Sequence, residues 1–192
     1  MTISIRQIDP GEYGTYGQVD PSYAVASILK VVPIDGGLRG VRFVEESVAA
    51  PYRKGADSLD DAPTTWPPPT ESGEFAVFLA DEEGRLVGGA AVIVDPSGAF
   101  LFERRKALAG LWDLRVAPDR RRNGIGSRLL LHAAEWARSR GCTQLRIESQ
   151  NVNVAGCRFY ARYCTLGGIE RYAYAATDAS DEVMLLWYRD LR

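Results

Sequence analysis

The stretch from Gly110 to Gly141 constrains this chain more than any other. GLWDLRVAP (110–118) reads as a strand and halts at Pro118, which has no N–H to give to a ladder. A basic turn follows, Asp119-Arg120-Arg121-Arg122-Asn123-Gly124-Ile125-Gly126. From Gly124 to Arg140 the apolar positions Ile125, Leu129, Ala133 and Trp136 step by 4, 4 and 3, and Gly141 stands where a helix C-cap belongs. The period predicts a helix over 124–140. A strand that turns straight into a helix points several backbone N–H groups, and the positive end of the helix dipole, at one spot. That spot suits a pyrophosphate. Gly124 and Gly126 let the backbone approach an anion closely, and Arg121 and Arg122 can add charge-assisted contacts. The alternative is that the glycines merely permit a tight turn and the arginines form a solvated face. A dinucleotide Gly-x-Gly-x-x-Gly turn is excluded, because the third position after Gly126 is Leu129 and no acidic residue follows at the usual place on a next strand.

The remaining pattern is that of a mixed α/β domain. Residues 2–9 read as a strand, and the following GEYGTYGQVD carries turn chemistry. Strands are expected near 24–32 and 39–46, a hairpin around Asp35-Gly36-Gly37. The acidic, proline-rich segment 56–73 reads as a long loop. Strands at 74–81 and 85–95 form a second hairpin, in which Gly88-Gly89 signals a bulge or a close backbone approach. A strand at 143–150, a short helix at 155–163 and closing strands within 166–176 and 181–190 complete the chain.

Length and composition exclude several classes. With 192 residues, 46% apolar and 25% charged, the chain suits one globular domain. A net charge of −2 leaves no positive surplus for a phosphate backbone, so nucleic acid is not an expected partner. The longest apolar run, Leu86 to Val94, is too short to span a bilayer, and the start MTISIRQIDPGEY has no signal-peptide core. A cytoplasmic protein without membrane contact is expected. Cys142, Cys157 and Cys164 fit no zinc spacing with the single histidine, His132, so buried thiols and no metal are expected. His132 lies within the predicted helix, which argues against a histidine-based triad. His132 and Cys157 read as packing residues. The chemistry then falls to carboxylates, tyrosines, backbone amides and a bound cofactor.

Two motifs carry a family resemblance. Arg121-Arg122-Asn123-Gly124-Ile125-Gly126 resembles the Arg/Gln-x-x-Gly-x-Gly/Ala signature of the GCN5-related N-acetyltransferases, the GNAT family. The second family mark, Asn-x-x-Ala-x-x-(apolar)-Tyr, is matched by Asn153-Val154-Ala155-Gly156-Cys157-Arg158-Phe159-Tyr160 with its Ala one position early. The resemblance covers about residues 74–190 well and the first 70 poorly. LWDLRVAP, IESQNVNVAGCRFYARY, LGGIERYAY and MLLWY look especially like the streptothricin-type antibiotic acetyltransferases of that family. One departure is Cys164-Thr165, where the family usually has Gly-Phe.

The resemblance implies an α+β fold. Its sheet would be central, twisted, mixed but mostly antiparallel, with six to seven strands splayed at the cofactor site and helices on its flanks. It implies a single domain over 1–192, with 74–190 as the acetyl coenzyme A core and 1–73 as a variable substrate-side region. It also implies an enzyme that moves an acetyl group from acetyl coenzyme A to a primary amine of a cationic small molecule such as streptothricin. Leu114, Arg115, Val116, Arg121, Arg122, Asn123, Gly124, Ile125, Gly126, Ser127, Asn153 and Tyr160 form the implied cofactor set. Tyr160 is the implied acid for the thiolate, and Glu148, twelve residues earlier, the implied base. The alternatives are a packed aromatic for Tyr160 and, for Glu148, a carboxylate paired with Arg146 or Arg158. Asp113 could orient a cationic substrate, act as an alternative base, or lie in an ion pair. Asp57, Asp60 and Asp61, with Glu45 and Glu46, form an acidic set that either reads a cationic substrate or is a solvated face. Trp66 beside Pro67-Pro68-Pro69 either walls a substrate pocket or stiffens a linker. The runner-up activities are a protein or peptide N-acetyltransferase and a non-catalytic acetyl coenzyme A sensor. The acceptor amine, the physiological role and the oligomer, a homodimer included, are left open.

Overall fold

The computed structural model describes residues 2–55, 62–66, 74–94, 107–171 and 182–192. Its elements are β1 (Ile3–Ile8), α1 (Tyr13–Tyr16), β2 (Tyr23–Pro33), β3 (Val41–Lys54), β4 (Glu74–Glu82), β5 (Arg85–Val94), β6 (Leu108–Val116), α2 (Ile125–Ser139), β7 (Gln144–Gln150), α3 (Val154–Tyr160), β8 (Thr165–Glu170) and β9 (Met184–Asp190). The main sheet has seven strands in the order β1-β4-β5-β6-β7-β9-β8, and β2 with β3 forms a separate two-stranded ribbon. The pairs β1·β4, β4·β5, β5·β6 and β8·β9 are antiparallel, whereas β6·β7 is parallel. This is the mixed, mostly antiparallel α+β sheet expected from the sequence.

The chain divides into two compact units, each discontinuous in sequence. One comprises residues 1–22, 55–147 and 189–192, the other 23–54 and 148–188, so β7 and β9 each contribute to both.

In the first unit the core is laid down by β4 and β5, whose residues are apolar on both faces. Phe75 to Ala80 and Val87 to Val94 are buried almost throughout, the pattern of strands covered on two sides. Of the expected stripe of α2, Ile125, Leu129 and Ala133 are buried and Trp136 is half-buried, with Ala137 buried one position on, and Gly141 follows the helix. Both readings of Gly88-Gly89 apply nearby. The β4·β5 register shifts between Ala80 and Asp81, next to the glycine pair. A Cβ on Gly88 would lie 2.8 Å from the Arg115 carbonyl oxygen, and one on Gly89 would lie 2.4 Å from the Tyr16 ring and 2.7 Å from the Phe78 carbonyl oxygen. GEYGTYGQVD departs from the expected turn. It forms a 3-10 turn (Pro10–Glu12) and then α1, because Tyr13 and Tyr16 have a greasy surface to enter. Trp66 sits among Tyr13, Tyr16 and Phe75 with ring centroids 5.0–6.3 Å apart, so it is a core aromatic here.

In the second unit, β3 runs eight residues beyond the expected end at Glu46. The reason is a large irregularity in the ribbon. Val25 pairs with Tyr52 and Ser27 with Ser47, so several residues of β3, Pro51 among them, stand opposite the single Ala26. The excursion breaks the alternation on which the reading relied, and Pro51 adds a position without an N–H. Helix α3 is shorter than expected and ends at Tyr160; turns closed by the Tyr160 carbonyl to the N–H groups of Tyr163 and Cys164 take up 161–164. The stretches 56–61, 67–73 and 172–181 lie outside the described residues, and with them Asp57, Asp60, Asp61 and Pro67 to Pro69. Among the described residues no helix is long and apolar enough to cross a membrane.

The contact at Gly89 gives a test. In Gly89→Ala the new methyl group meets a backbone oxygen as well as a ring, so it cannot be relieved by one side chain, and overpacking of this kind costs about 1–3 kcal/mol. Thermal unfolding followed by circular dichroism should show Tm falling by about 2–4 °C per kcal/mol lost. An unchanged Tm would contradict the close approach.

Candidate active site

In the first unit β6 leads directly into the motif. Its parallel ladder with β7 runs through four pairs, from Leu108↔Gln144 to Leu111↔Ile147, and the strand itself runs on to Val116. The Ala117 N–H donates to the Val87 carbonyl (3.0 Å), and Pro118–Arg120 makes one 3-10 turn. Arg122 and Gly124 then both adopt left-handed backbone conformations, with φ of 70° and 80°. These two steps aim the chain into α2, whose N-cap is Gly124. A glycine N-cap has no side chain to take a first-turn N–H, and the first turn of α2 holds no acidic residue. A Cβ on Gly124 would meet nothing within 4 Å, so the residue serves its φ and leaves its surface open. Arg122, Asn123 and Gly124 are exposed, Gly126 and Ser127 half-buried, and Ile125 is buried as the anchor of the helix. These features fit a phosphate group: N–H donors, a dipole end, and no carboxylate in that turn.

The arginines around the turn have different partners. Arg120 pairs with Glu82 at 2.8 Å, while Asp119 pairs with Arg85 at 2.8 Å. Arg121 donates through Nε to the Val116 carbonyl (3.0 Å) and through Nη2 to those of Ser22 (2.8 Å) and Asp20 (3.4 Å). Arg122 makes no ion pair among the described residues.

On β6, Leu114 and Val116 are half-buried and Arg115 is buried. The Arg115 Nε donates to Asp113 Oδ2 (2.6 Å), its Nη2 forms an ion pair with the same carboxylate, and its Nη1 reaches the Val19 carbonyl (3.5 Å). Its guanidinium also lies over the Tyr16 ring at 4.8 Å, and the Tyr16 hydroxyl donates to Asp113 (3.2 Å). Burial raises the Asp113 carboxyl above the ordinary carboxylate range, against the opposing pull of Arg115, and burial with the adjacent Asp113 charge raises the Tyr16 phenol. Asp113 is thus in an ion pair with Arg115, one of the roles weighed for it. Sequence reasoning missed Tyr16; its signal was two tyrosines three apart in a glycine-rich stretch.

In the second unit β7 carries Glu148 exposed and Ser149 buried. Arg158, one of the partners weighed for Glu148, is paired with Glu45, which also accepts from the Ser27 hydroxyl (2.5 Å). Glu46 pairs with Lys30 at 3.2 Å. Two members of the acidic set thus have partners of their own. Asn153 is the N-cap of α3, its side-chain oxygen accepting the Gly156 N–H (2.9 Å). A Cβ on Gly156 would fall 2.7–2.9 Å from the Asn153 side chain, so the cap closes against a position without a side chain. Tyr160, at the C-terminal end of α3, is buried with its ring edge-on to Phe159 at 5.2 Å. Asn151, which no sequence motif singles out, is a hub. It exchanges hydrogen bonds with Leu29 through its Nδ2 (3.1 Å) and carbonyl (3.0 Å), and with Val183 through its Oδ1 and N–H (both 2.9 Å). Burial raises the Cys157 thiol pKa, against the opposing pull of its hydrogen bond with Ser149. His132, in the first unit, is edge-on to Phe78 at 4.6 Å, and burial lowers its pKa.

The chain is similar to known acetyltransferases over most of its length. The model of the acetyltransferase (GNAT) family matches residues 42–165. A streptothricin acetyltransferase of Streptomyces lavendulae is 30% identical over 189 residues, 94% of this chain and 91% of the relative. One from Escherichia coli is 36% identical over 142 residues, 72% of this chain and 71% of the relative. A crystal structure of a Bacillus anthracis protein assigned as a streptothricin acetyltransferase, in complex with acetyl coenzyme A, superposes with a TM-score of 0.76 at 22% identity, covering 98% of this chain and 99% of that one. A family match across more than half of the chain, on a fold that carries the expected glycine turn at the head of its long helix, places the chain in the GNAT family of acetyltransferases.

Proposed function

We propose that this protein transfers the acetyl group of acetyl coenzyme A to a primary amine of a cationic small molecule of the streptothricin type. The observation that carries the reading is the turn from Arg121 to Ser127: a glycine N-cap, left-handed Arg122 and Gly124, and a first helical turn without acidic residues. The names of the relatives, which extend over 71–91% of their own lengths, support the acceptor class.

In this reading the N–H groups at the head of α2 hold the pyrophosphate, and Arg122 adds charge from the exposed side. The main chain of Leu114, Arg115 and Val116, past the end of the β6·β7 ladder, is the place for the pantetheine arm. Acetyl coenzyme A supplies an activated thioester and a thiolate leaving group. Tyr160 gives the proton that the thiolate needs, and Glu148 takes the proton of the amine directly or through water. Asp57, Asp60 and Asp61 are the carboxylates proposed to attract the cationic acceptor.

Three measurements test this. Acetyl coenzyme A should raise Tm, with about 2.7 kcal/mol of stabilisation at 100 times its Kd, and NAD and ATP should not; an equal shift with NAD would overturn the cofactor assignment. Tyr160→Phe should lower kcat by about 10²–10⁴-fold with little change in KM for acetyl coenzyme A, and an unchanged rate would remove Tyr160 from the chemistry. A free-thiol release assay against streptothricin, aminoglycosides, polyamines and N-terminal peptides should show the highest kcat/KM with streptothricin. Preference for a peptide would move the protein to the peptide N-acetyltransferases, and no thiol release with any amine would favour a sensor.

A further inference from the structure

The motif reading gives Arg121 and Arg122 the same task, but their surroundings differ. Arg122 is exposed and makes no ion pair among the described residues. Arg121 is half-buried, and its guanidinium reaches three backbone carbonyls from two separate parts of the first unit. Val116, the last residue of β6, takes Nε at 3.0 Å, and Ser22 and Asp20, at the end of the N-terminal segment, take Nη2 at 2.8 and 3.4 Å. Carbonyl oxygens are the negative ends of peptide dipoles. A cation surrounded by them is held in place, and the donors aimed at them are not available to fork a phosphate.

A second arginine acts on the same segment. Arg115, one residue before Val116, reaches the Val19 carbonyl (3.5 Å) and anchors Tyr16 through Asp113. Tyr16 in turn fills the space left by the missing side chain of Gly89, which pairs with Arg115 across the β5·β6 ladder. Residues 16–22 are thus fastened at both ends, by Arg115 at one and Arg121 at the other, to the strand that feeds the turn.

We infer that Arg121 is a positioning residue: it straps residues 20–22 to the end of β6 and thereby sets the backbone of the turn that follows, while Arg122 and the amides at the head of α2 supply the contacts to the anion. The inference rests on the proposal that acetyl coenzyme A binds at this turn. It assigns the first arginine of the motif to shape and the second to charge. A lysine separates the two tasks, because it keeps a point charge but has no planar fork to bridge carbonyls of two segments.

The experiment compares Arg121→Lys, Arg121→Gln and Arg122→Gln with the wild-type chain, measuring KM for acetyl coenzyme A from 0.05 to about 1 M salt, where the screening length falls to about 3 Å, with kcat and Tm. The strap predicts that Arg121→Lys and Arg121→Gln behave alike. Both should raise KM about tenfold with a smaller change in kcat and lower Tm, and both should keep the wild-type dependence of KM on salt. Arg122→Gln should flatten that salt dependence and leave Tm near the wild-type value. If Arg121→Gln fails to fold, that outcome supports the strap, because an arginine that only touched phosphate would not be needed for folding, and Arg121→Lys then carries the kinetic comparison. Wild-type kinetics in Arg121→Lys, or a flattened salt dependence in Arg121→Gln, would overturn the inference. Should the wild-type protein itself show no binding of acetyl coenzyme A, the reading of the turn would fall instead, and the two failures are told apart by that control.

Discussion

The seating of α2 on Gly88 of β5 is the constraint from which the rest of the site follows. A Cβ on Gly88 would lie 3.1 Å from Leu129 and 3.3 Å from Ile125, so the helix packs onto the strand where the strand has no side chain. Ile125 is the first residue of α2 and is almost fully buried. The start of the helix is therefore fixed against the sheet, and the turn before it must deliver the backbone there within the few residues after Pro118. Left-handed conformations at Arg122 and Gly124 accomplish this. What remains exposed at the head of the helix is backbone, which is the right material for holding a phosphate without discriminating by side chain.

Charge in this region is arranged by depth. Arg115 is buried and neutralised by Asp113, a pairing that leaves little net field and is costly to break from one side, because the partner would remain desolvated. Arg121 is half-buried and held by carbonyls, and Arg122 is exposed. The further out a residue lies, the more of its charge is available to a ligand. The sequence run Arg120-Arg121-Arg122 reads as one basic patch, yet its members meet Glu82, three carbonyls and solvent respectively.

Periodic, local features were legible in the sequence. The α2 stripe, the β4–β5 hairpin and the glycine-bearing turn rest on spacing within about fifteen residues, and each formed as its pattern demands. Features set by distant partners were not legible. The burial of Tyr16 depends on the missing side chain of Gly89, the cation it faces is Arg115, and the hub at Asn151 joins residues more than thirty positions away on either side. The ribbon β2·β3 was under-read because its irregularity sits between two regular stretches. Glu148 and Tyr160 were singled out through a family resemblance; the structure puts the first on an exposed strand position and the second at a buried helix end, and their chemistry stands as a proposal.

The central claim is that backbone amides at the head of α2 receive the pyrophosphate of coenzyme A. The direct measurement is a titration of the 15N-labelled protein with coenzyme A, following backbone amide resonances. The account predicts that the largest shifts fall on Arg122 to Ser127, that the Arg121 side-chain Nε–H moves much less, and that a coenzyme A fragment lacking the pyrophosphate leaves the amides of Gly124 and Gly126 in place. Saturable binding of coenzyme A with those two amides unmoved would contradict it.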